Sequence, residues 1–545
     1  MQLFNYKFFI GCLFSVVFML FAANQAQAQN NLQLPLEPGE FWWSGVVNEG
    51  QKMPFSKSSD YSIDLFGANY ENQVQPLLLS SKGRYIWSEE PFKFEIKNNQ
   101  LTVTGTGKVD NGKAGNSIRE AQQFVTKKYF AASGKLPDTM LLSRPQYNTW
   151  IELTYNQNQA NVLKYAHAIV DNGLPPGVLM IDDTWQEDYG VWDFHPKKFP
   201  DPKAMVNELH NLGFKVMVWI CPFESADQEV YRKLKDKKAF LLNPLPGDNA
   251  GWEQSKAYPL LLQWWNGASA ELDFTNPAAV DWFNEKLTYL TSAYGIDGFK
   301  FDAGDMMYYP TTALTKEKIT PNKHCELFGQ FGLKYPLNEY RAMWKNAGKP
   351  LVQRLCDKSH SWEDAQKLIP NMLLGAMVGY SFNCPDMIGG GEWTSFKEGS
   401  PNLQTDLIVR SAQIHALMPM MQFSVAPWRI LNKEEFAAVK DAVATRTKFT
   451  PLIMELAKNA AQTGEPIVRS MEYEFPNQGY AQITDQFMVG SKLLVAPATE
   501  KGQTTKKVFL PKGKWKSDEG KTYKGGQAIT IDVPLKRLPY FELIK

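Results

Sequence analysis

From Trp150 onward the sequence alternates short strand-like runs with helix-length amphipathic segments, and few architectures accept that order. Strands separated by helices lie parallel, and about eight of them in succession close into a (β/α)8 barrel. The runs fall at Trp150 to Thr154, Val178 to Ile181, Val216 to Ile220, Glu271 to Phe274, Gly298 to Asp302, Leu351 to Leu355, Ser381 to Asn383 and Met421 to Ser424. Between them Val162, Leu163, Ala166, Ile169 and Val170 recur at helical spacing, and Ser361 with Asp364 reads as a capping box that opens another helix. The expected fold class is therefore α/β, with the barrel over residues 141–464.

The flanks have a different texture. Residues 29–140 show period-two runs such as Phe92-Lys93-Phe94-Glu95-Ile96 and Leu101-Thr102-Val103-Thr104, broken by Asn, Gly and Lys turns, which predicts an antiparallel β-sandwich. Nothing in it looks catalytic. Alternation returns over 465–545, in Phe487-Met488-Val489 and Ile529-Thr530-Ile531, which predicts a C-terminal all-β domain.

Residues 1–28 read as a cleaved secretory signal: Lys7, the apolar run Phe8 to Ala23, then the small-x-small site Ala26-Gln27-Ala28. A secreted or periplasmic protein follows. Cys12 raises a lipoprotein alternative, but too few apolar residues precede it. No later stretch has the apolar length of a membrane span. Cys221, Cys325, Cys356 and Cys384 remain, too few for a disulfide framework and without zinc spacing, so buried free thiols are expected.

Lys plus Arg number 58 against 57 Asp plus Glu, with no basic tract, which excludes nucleic acid or an anionic membrane surface as the natural partner and favours a neutral ligand. The six His are scattered without HxH or HExxH spacing, so no metal is expected. There is neither a Gly-rich phosphate loop nor a GxSxG elbow, so no nucleotide, serine-hydrolase or cofactor chemistry is called for.

Polar and aromatic residues gather where the barrel strands end: Asp182-Asp183-x-Trp185, Trp219, Trp264-Trp265-Asn266, Lys300-x-Asp302, Arg354-x-x-Asp357, Asp386 and Trp428. The C-terminal rim of such a barrel carries its chemistry, because the loops there vary while the scaffold holds them. In Gly298 to Asp302, Phe299 and Phe301 face one way and Lys300 and Asp302 the other. Two carboxylates across a sugar-sized pocket can split a glycosidic bond, one attacking the anomeric carbon while the other protonates the departing oxygen. Asp302 is the candidate nucleophile, kept ionised by Lys300, and Asp357 its candidate partner, with Arg354 placed to bind sugar hydroxyls. The plainer alternatives are that Asp302 solvates a loop and that Asp357 caps the helix after it.

These residues resemble glycoside hydrolase family 31, the retaining α-glycosidases. The resemblance rests on Lys300-Phe301-Asp302-Ala303-Gly304-Asp305, Asp182-Asp183-Thr184-Trp185, Phe199-Pro200-Asp201-Pro202, Asp273-Phe274-Thr275-Asn276-Pro277 and Asp485-Gln486-Phe487-Met488-Val489-Gly490. Within the family, Trp264-Trp265-Asn266-Gly267, Arg354-Leu355-Cys356-Asp357, Pro385-Asp386-Met387 and Pro427-Trp428-Arg429 are similar to an α-galactosidase branch. Typical α-glucosidases of the family carry WxDMNE around the nucleophile, where this chain reads KFDAGD. The resemblance implies Asp302 as nucleophile and Asp357 as acid/base, with Asp182, Trp265, Lys300 and Arg354 contacting the sugar; Asp183, Asp386 and Trp428 complete the expected substrate-binding set. The expectation is a retaining, exo-acting α-glycosidase for an oligosaccharide or glycoside, with α-galactosides ahead of α-glucosides and α-xylosides. A sugar-binding protein without turnover is the alternative.

Overall fold

The computed structural model describes residues 30–67, 71–245 and 251–544; the expected leader lies outside the described residues. Eight parallel strands form its centre: β1 (Gln146–Asn148), β2 (Val178–Ile181), β3 (Lys215–Ile220), β4 (Gly298–Phe301), β5 (Leu337–Tyr340), β6 (Gln353–Arg354), β7 (Asn383–Cys384) and β8 (Gln422–Phe423). Neighbours follow in that order, β8 returns beside β1, and a bridge from Met387 to Gln422 closes the ring. The expected barrel is there.

Two of its strands differ from the sequence reading. Trp150–Leu153 is a short helix and not a strand; Asn148 Oδ1 accepts from the Trp150 amide at 2.8 Å and turns the chain as soon as β1 ends. Glu271 to Phe274 is not a barrel strand either. Gly267–Glu271 pairs antiparallel with Leu261–Trp264 and Phe223–Ser225 in a rim sheet, and Asp273 accepts from the Thr275 amide in the turn that leads to the helix Pro277–Tyr294. The eighth strand is β5, whose sequence LNEY carries a fully buried glutamate, Glu339.

Helices Gln159–Asp171, Pro202–Asn211, Pro277–Tyr294, Pro321–Phe328, Trp362–Met377 and Thr405–Ala416 occupy the other crossovers, but among the described residues none lies between β5 and β6. There Met343–Trp344 joins the N-terminal unit instead, pairing in parallel with Gln73 and Val74. That unit is a sandwich of a four-stranded sheet, from Asn30–Pro35 to Tyr61–Asp64, and a second sheet built on Gln73–Ser80. Ser361 caps Trp362–Met377 through the Asp364 amide; the return bond of a capping box is absent, because Asp364 Oδ2 takes the Ser359 amide instead.

The barrel floor is apolar. Val178, Met180, Met217, Leu337 and Val352 cluster with Leu141, Leu142 and with Ala457, Ala460 and Ala461 of the long helix Lys433–Thr463. Arg446 of that helix donates to the carbonyls of Leu142, Met418 and Pro419 at 2.6 to 2.8 Å and ties the floor shut. A ligand can therefore enter from the opposite rim. The C-terminal unit is an antiparallel six-stranded sheet with a two-stranded ribbon, as its alternation predicted. Cys221, Cys325, Cys356 and Cys384 are all free and buried.

Candidate active site

A cavity of about 290 Å³ opens on the C-terminal rim, lined by Trp150, Asp182, Asp183, Trp219, Trp264, Trp265, Lys300, Asp302, Tyr308, Arg341, Asp357 and Met387. Asp302 follows β4 directly. Ala303 (φ 57°) and Gly304 (φ 71°) then reverse the chain in left-handed conformations, and a Cβ on Gly304 would sit 2.3 Å from Phe328 Cδ1. The nucleophile candidate thus rides on a rigid strand and not on a loose loop.

Each Asp302 oxygen has a donor. Trp219 Nε1 donates to Oδ2 at 2.9 Å and Arg341 Nε donates to Oδ1 at 2.9 Å. Burial pushes this carboxyl up, but Arg341, then Lys300 and Arg354, hold it far below the usual carboxylate range. Lys300 helps to keep Asp302 ionised, as expected, but its Nζ donates to Asp182 Oδ2 at 2.6 Å and its field on Asp302 is second to that of Arg341. Arg341 escaped the sequence reading because it follows β5, the strand whose glutamate concealed it.

Arg354 is also differently placed from expectation. Only 1% of its side chain is exposed, it is not among the residues that line the cavity, and the side chains it meets are carboxylates. Its Nη1 donates to Asp357 Oδ1 at 2.6 Å and Asp386 Oδ1 at 2.8 Å, its Nη2 lies 3.8 Å from Asp302 Oδ1, and its Nε lies 3.5 Å from Glu339 Oε1. One guanidinium therefore touches both candidate catalytic carboxylates. Asp357 keeps 60% of its side chain exposed; desolvation in the pocket pushes it up, and Arg354 more than reverses this, so it is ionised while it pairs with Arg354.

Asp386 and Trp428 do not line the cavity. Asp386 is fully buried behind Arg354, also accepting the Lys358 amide at 2.9 Å, and burial raises it to about 6. Trp428 packs against Tyr165 and Phe436 on the outside of the barrel wall. Asp183 does line the cavity, with Gln186, Tyr189 and Asn266 donating to it at 2.7, 2.8 and 3.4 Å, and burial raises it to about 6. The N-terminal unit, which showed no catalytic residue, supports the site from behind. Asn72 Nδ2 and Gln73 Nε2 each donate to the carbonyls of both Arg341 and Arg354, at 2.7 to 3.1 Å.

Arg341 is steadied on its other side by Asp305, to which Nη2 donates at 2.6 Å. Burial raises Asp305 to about 6 despite that partner. Its charge, and hence its grip on Arg341, is present above about pH 6 and lost as pH falls through that value. An acid limb of kcat/KM near pH 6 is therefore expected, to which Asp305, Asp386 and the cavity-lining Asp183 contribute, because Asp302 itself titrates far lower. Asp305→Asn is expected to lower kcat about 10-fold at pH 7, the worth of one charge-assisted hydrogen bond, and to flatten the limb. Profiles of both proteins from pH 4.5 to 8 check it; a wild-type plateau through pH 5 excludes the assignment.

The sequence model of the glycosyl hydrolases family 31 TIM-barrel domain matches residues 139–456, and that of the family 31 C-terminal domain matches residues 464–542. The chain belongs to glycoside hydrolase family 31. Its relatives include the mouse (Mus musculus) myogenesis-regulating glycosidase, 31% identical over 78% of this chain, and a Lactiplantibacillus pentosus α-xylosidase, 25% identical over 82%. The chain spans 60% of the first protein's length and 59% of the second's. Among solved structures, a Flavobacterium johnsoniae family 31 dextranase complexed with glucose superposes with a TM-score of 0.81 at 20% identity, over 94% of this chain and 66% of that one. At that identity it attests the fold alone. Among the described residues of this family 31 chain no helix is long and apolar enough to cross a membrane, and no cluster of His, Cys, Asp or Glu is arranged to hold a metal.

Proposed function

We propose that this protein is a retaining, exo-acting α-glycosidase that removes terminal α-linked sugars, with α-galactosides its preferred class. The observation that carries the reading is one small cavity in which a carboxylate held ionised, Asp302, and a solvent-accessible carboxyl, Asp357, share the guanidinium of Arg354. A closed floor and a volume near the lower end of ligand pockets favour a single sugar ring entering end-on. The Asp182–Lys300 pair, almost wholly buried, offers a charged acceptor and donor for the hydroxyls of its far end.

In the first step an Asp302 oxygen bonds to the anomeric carbon as the bond to the leaving oxygen breaks, and Asp357 gives that oxygen its proton. Water then gives a proton to Asp357 and its oxygen replaces Asp302 at the anomeric carbon, which restores both residues. Asp357 needs a proton for the first step, which it takes from solvent as it leaves Arg354 and turns toward the glycosidic oxygen; its exposure leaves it free to turn. Arg354 keeps Asp386 and Glu339 meanwhile.

The galactose preference draws support from the sequence likeness at Trp264-Trp265-Asn266-Gly267 and from Lys300, which puts a cation where the α-glucosidase pattern has an indole. A panel of p-nitrophenyl α-galactoside, α-glucoside and α-xyloside is expected to show the highest kcat/KM on the galactoside. Dominant activity on either other substrate rejects the preference and keeps the α-glycosidase reading.

A further inference from the structure

Lysine is seldom buried without a carboxylate to hold it, because its ammonium keeps to water at the end of a long stem. Lys358 departs from that rule: it is 6% exposed, and its Nζ donates to the sulfur of Cys356 at 3.1 Å. Cys356 is itself 5% exposed and donates its own proton to Asn48 Oδ1, from the N-terminal unit, at 3.3 Å. Among the described residues it is the one cysteine with a lysine amine against its sulfur; Cys221, Cys325 and Cys384 are buried without one. Burial pushes the Cys356 thiol up, and Lys358 is the first group to draw it back.

The contact is fixed from the backbone outward. The Lys358 amide donates to Asp386 Oδ2 at 2.9 Å and the Lys358 carbonyl accepts from the Gly391 amide at 2.8 Å. Gly390 (φ 99°) packs so closely that a Cβ there would lie 2.6 Å from the same carbonyl oxygen. Met387 lines both the catalytic cavity and a small void that Lys358 also lines, which gives a diatomic molecule a short route in from the rim. Nitrogen and sulfur held this way stand about one atom apart, so an oxygen placed between them joins them with little movement and little loss of freedom.

We propose that Cys356 and Lys358 form an oxidation site at which dioxygen inserts one oxygen atom, giving a covalent Nζ–O–Sγ bridge. The ammonium, the thiol and dioxygen yield the bridge, one water and one proton. Nitrogen and sulfur each give up two electrons and dioxygen takes all four; the N–O and O–S bonds form as the O–O bond, the S–H bond and two N–H bonds break. Dithiothreitol reverses the step, supplying four electrons and ending as its disulfide, and returns amine, thiol and water. The joined residues flank Asp357, so the backbone that carries this carboxyl can no longer give as it leaves Arg354. An amine bonded to oxygen is uncharged at neutral pH, so Asp386 also loses the Lys358 cation that helps to hold it ionised, and the guanidinium it shares falls to Asp357. The bridge stands on the geometry alone; its effect on turnover rests on the α-glycosidase reading with Asp357 as acid/base.

The test keeps the full chain either in air-saturated buffer or under argon with dithiothreitol, blocks free thiols with iodoacetamide, and digests with trypsin without reductant. In air the peptide that starts at Leu355 is expected to gain about 14 Da, one oxygen added and two hydrogens lost, to escape alkylation, and to run uncut past Lys358 to Lys367. Dithiothreitol should restore its mass and the cut. Lys358→Arg, which keeps the charge, and Cys356→Ser should show neither change. An unchanged mass in air, a gain of about 16 to 48 Da with Lys358 still cut, or a disulfide to another cysteine peptide overturns the proposal. A loss of about 2 Da with Lys358 uncut marks a direct N–S bond and overturns the inserted oxygen. On the same samples, kcat/KM for a disaccharide is expected to be about 10-fold lower after air exposure, with that for an aryl glycoside of a low-pKa phenol little changed and Lys358→Arg indifferent to air. A bridge that leaves the disaccharide rate where it was overturns the link to Asp357. If neither substrate is hydrolysed by the reduced protein, the α-glycosidase reading fails by itself and the masses still decide the bridge.

Discussion

Replacing Asp302 by alanine is expected to remove turnover on every substrate, on the order of 10⁵-fold or more in kcat, however good the leaving group. The size of the loss follows from the step it blocks. Without this carboxylate no bond forms to the anomeric carbon: Trp219 and Arg341 steer Asp302, whereas the other strand-end carboxylate at the cavity wall, Asp182, is held by Lys300 and the Asp183 amide. The fold should survive the change. Arg341 keeps Asp305, and Arg354 keeps Asp357, Asp386 and Glu339, so neither cation is left buried alone. Circular dichroism and kinetics on an activated aryl glycoside check both halves; residual activity within 100-fold of wild type, in a folded protein, excludes Asp302 as nucleophile. Proton NMR of the first-formed anomer of the unaltered enzyme adds an independent reading, since double displacement must return the α-anomer.

Asp357→Ala should behave differently, and the difference identifies its role. A low-pKa phenol leaves with little help, so formation of the glycosyl-enzyme from such a substrate should be nearly preserved. A disaccharide, whose leaving alkoxide needs a proton, should lose about 10² to 10⁴-fold. The second step then lacks its base. Azide needs none, so it should restore turnover of the aryl substrate and yield an α-glycosyl azide, because attack on the β-linked intermediate inverts it. Equal losses on both substrates with no azide product would move the acid/base role elsewhere. Asp386 is not the next candidate despite its adjacency in the barrel, because it is fully buried behind Arg354. Asp183 is, as a carboxyl that lines the cavity and is raised to about 6 by burial.

Much of this architecture was legible in the chain. Parallel strands buried on both faces read as apolar runs such as Val178-Leu179-Met180-Ile181, and a run of strands and helices in alternation has few solutions. Strand geometry alone put Lys300 and Asp302 on one face, and both line the cavity. Where the pattern misled, a polar residue had been buried with a partner from elsewhere. Glu339 made β5 look like a loop, yet Gln422 of β8 donates to it at 2.8 Å and Arg354 lies beside it inside the barrel. Trp150, read as part of a strand, is at the rim because the strand stops at Asn148 and caps the next turn. Trp428, read as a rim residue, is held outside by Tyr165 and Phe436.

Local periodicity reports which way a side chain points from its own strand, and that was enough for the barrel class, the flanking β units and Asp302. Pairing between distant segments is set by the closure of the barrel and by its contact with the sandwich. Only there was it decided that Arg341 rather than Lys300 is the chief cation against Asp302, that Arg354 serves carboxylates, and that Asn72 and Gln73 brace both arginines from about 270 residues away along the chain. A charge takes its strength from the groups that face it and from the water excluded around it, and neither is written in the spacing of residues along one segment.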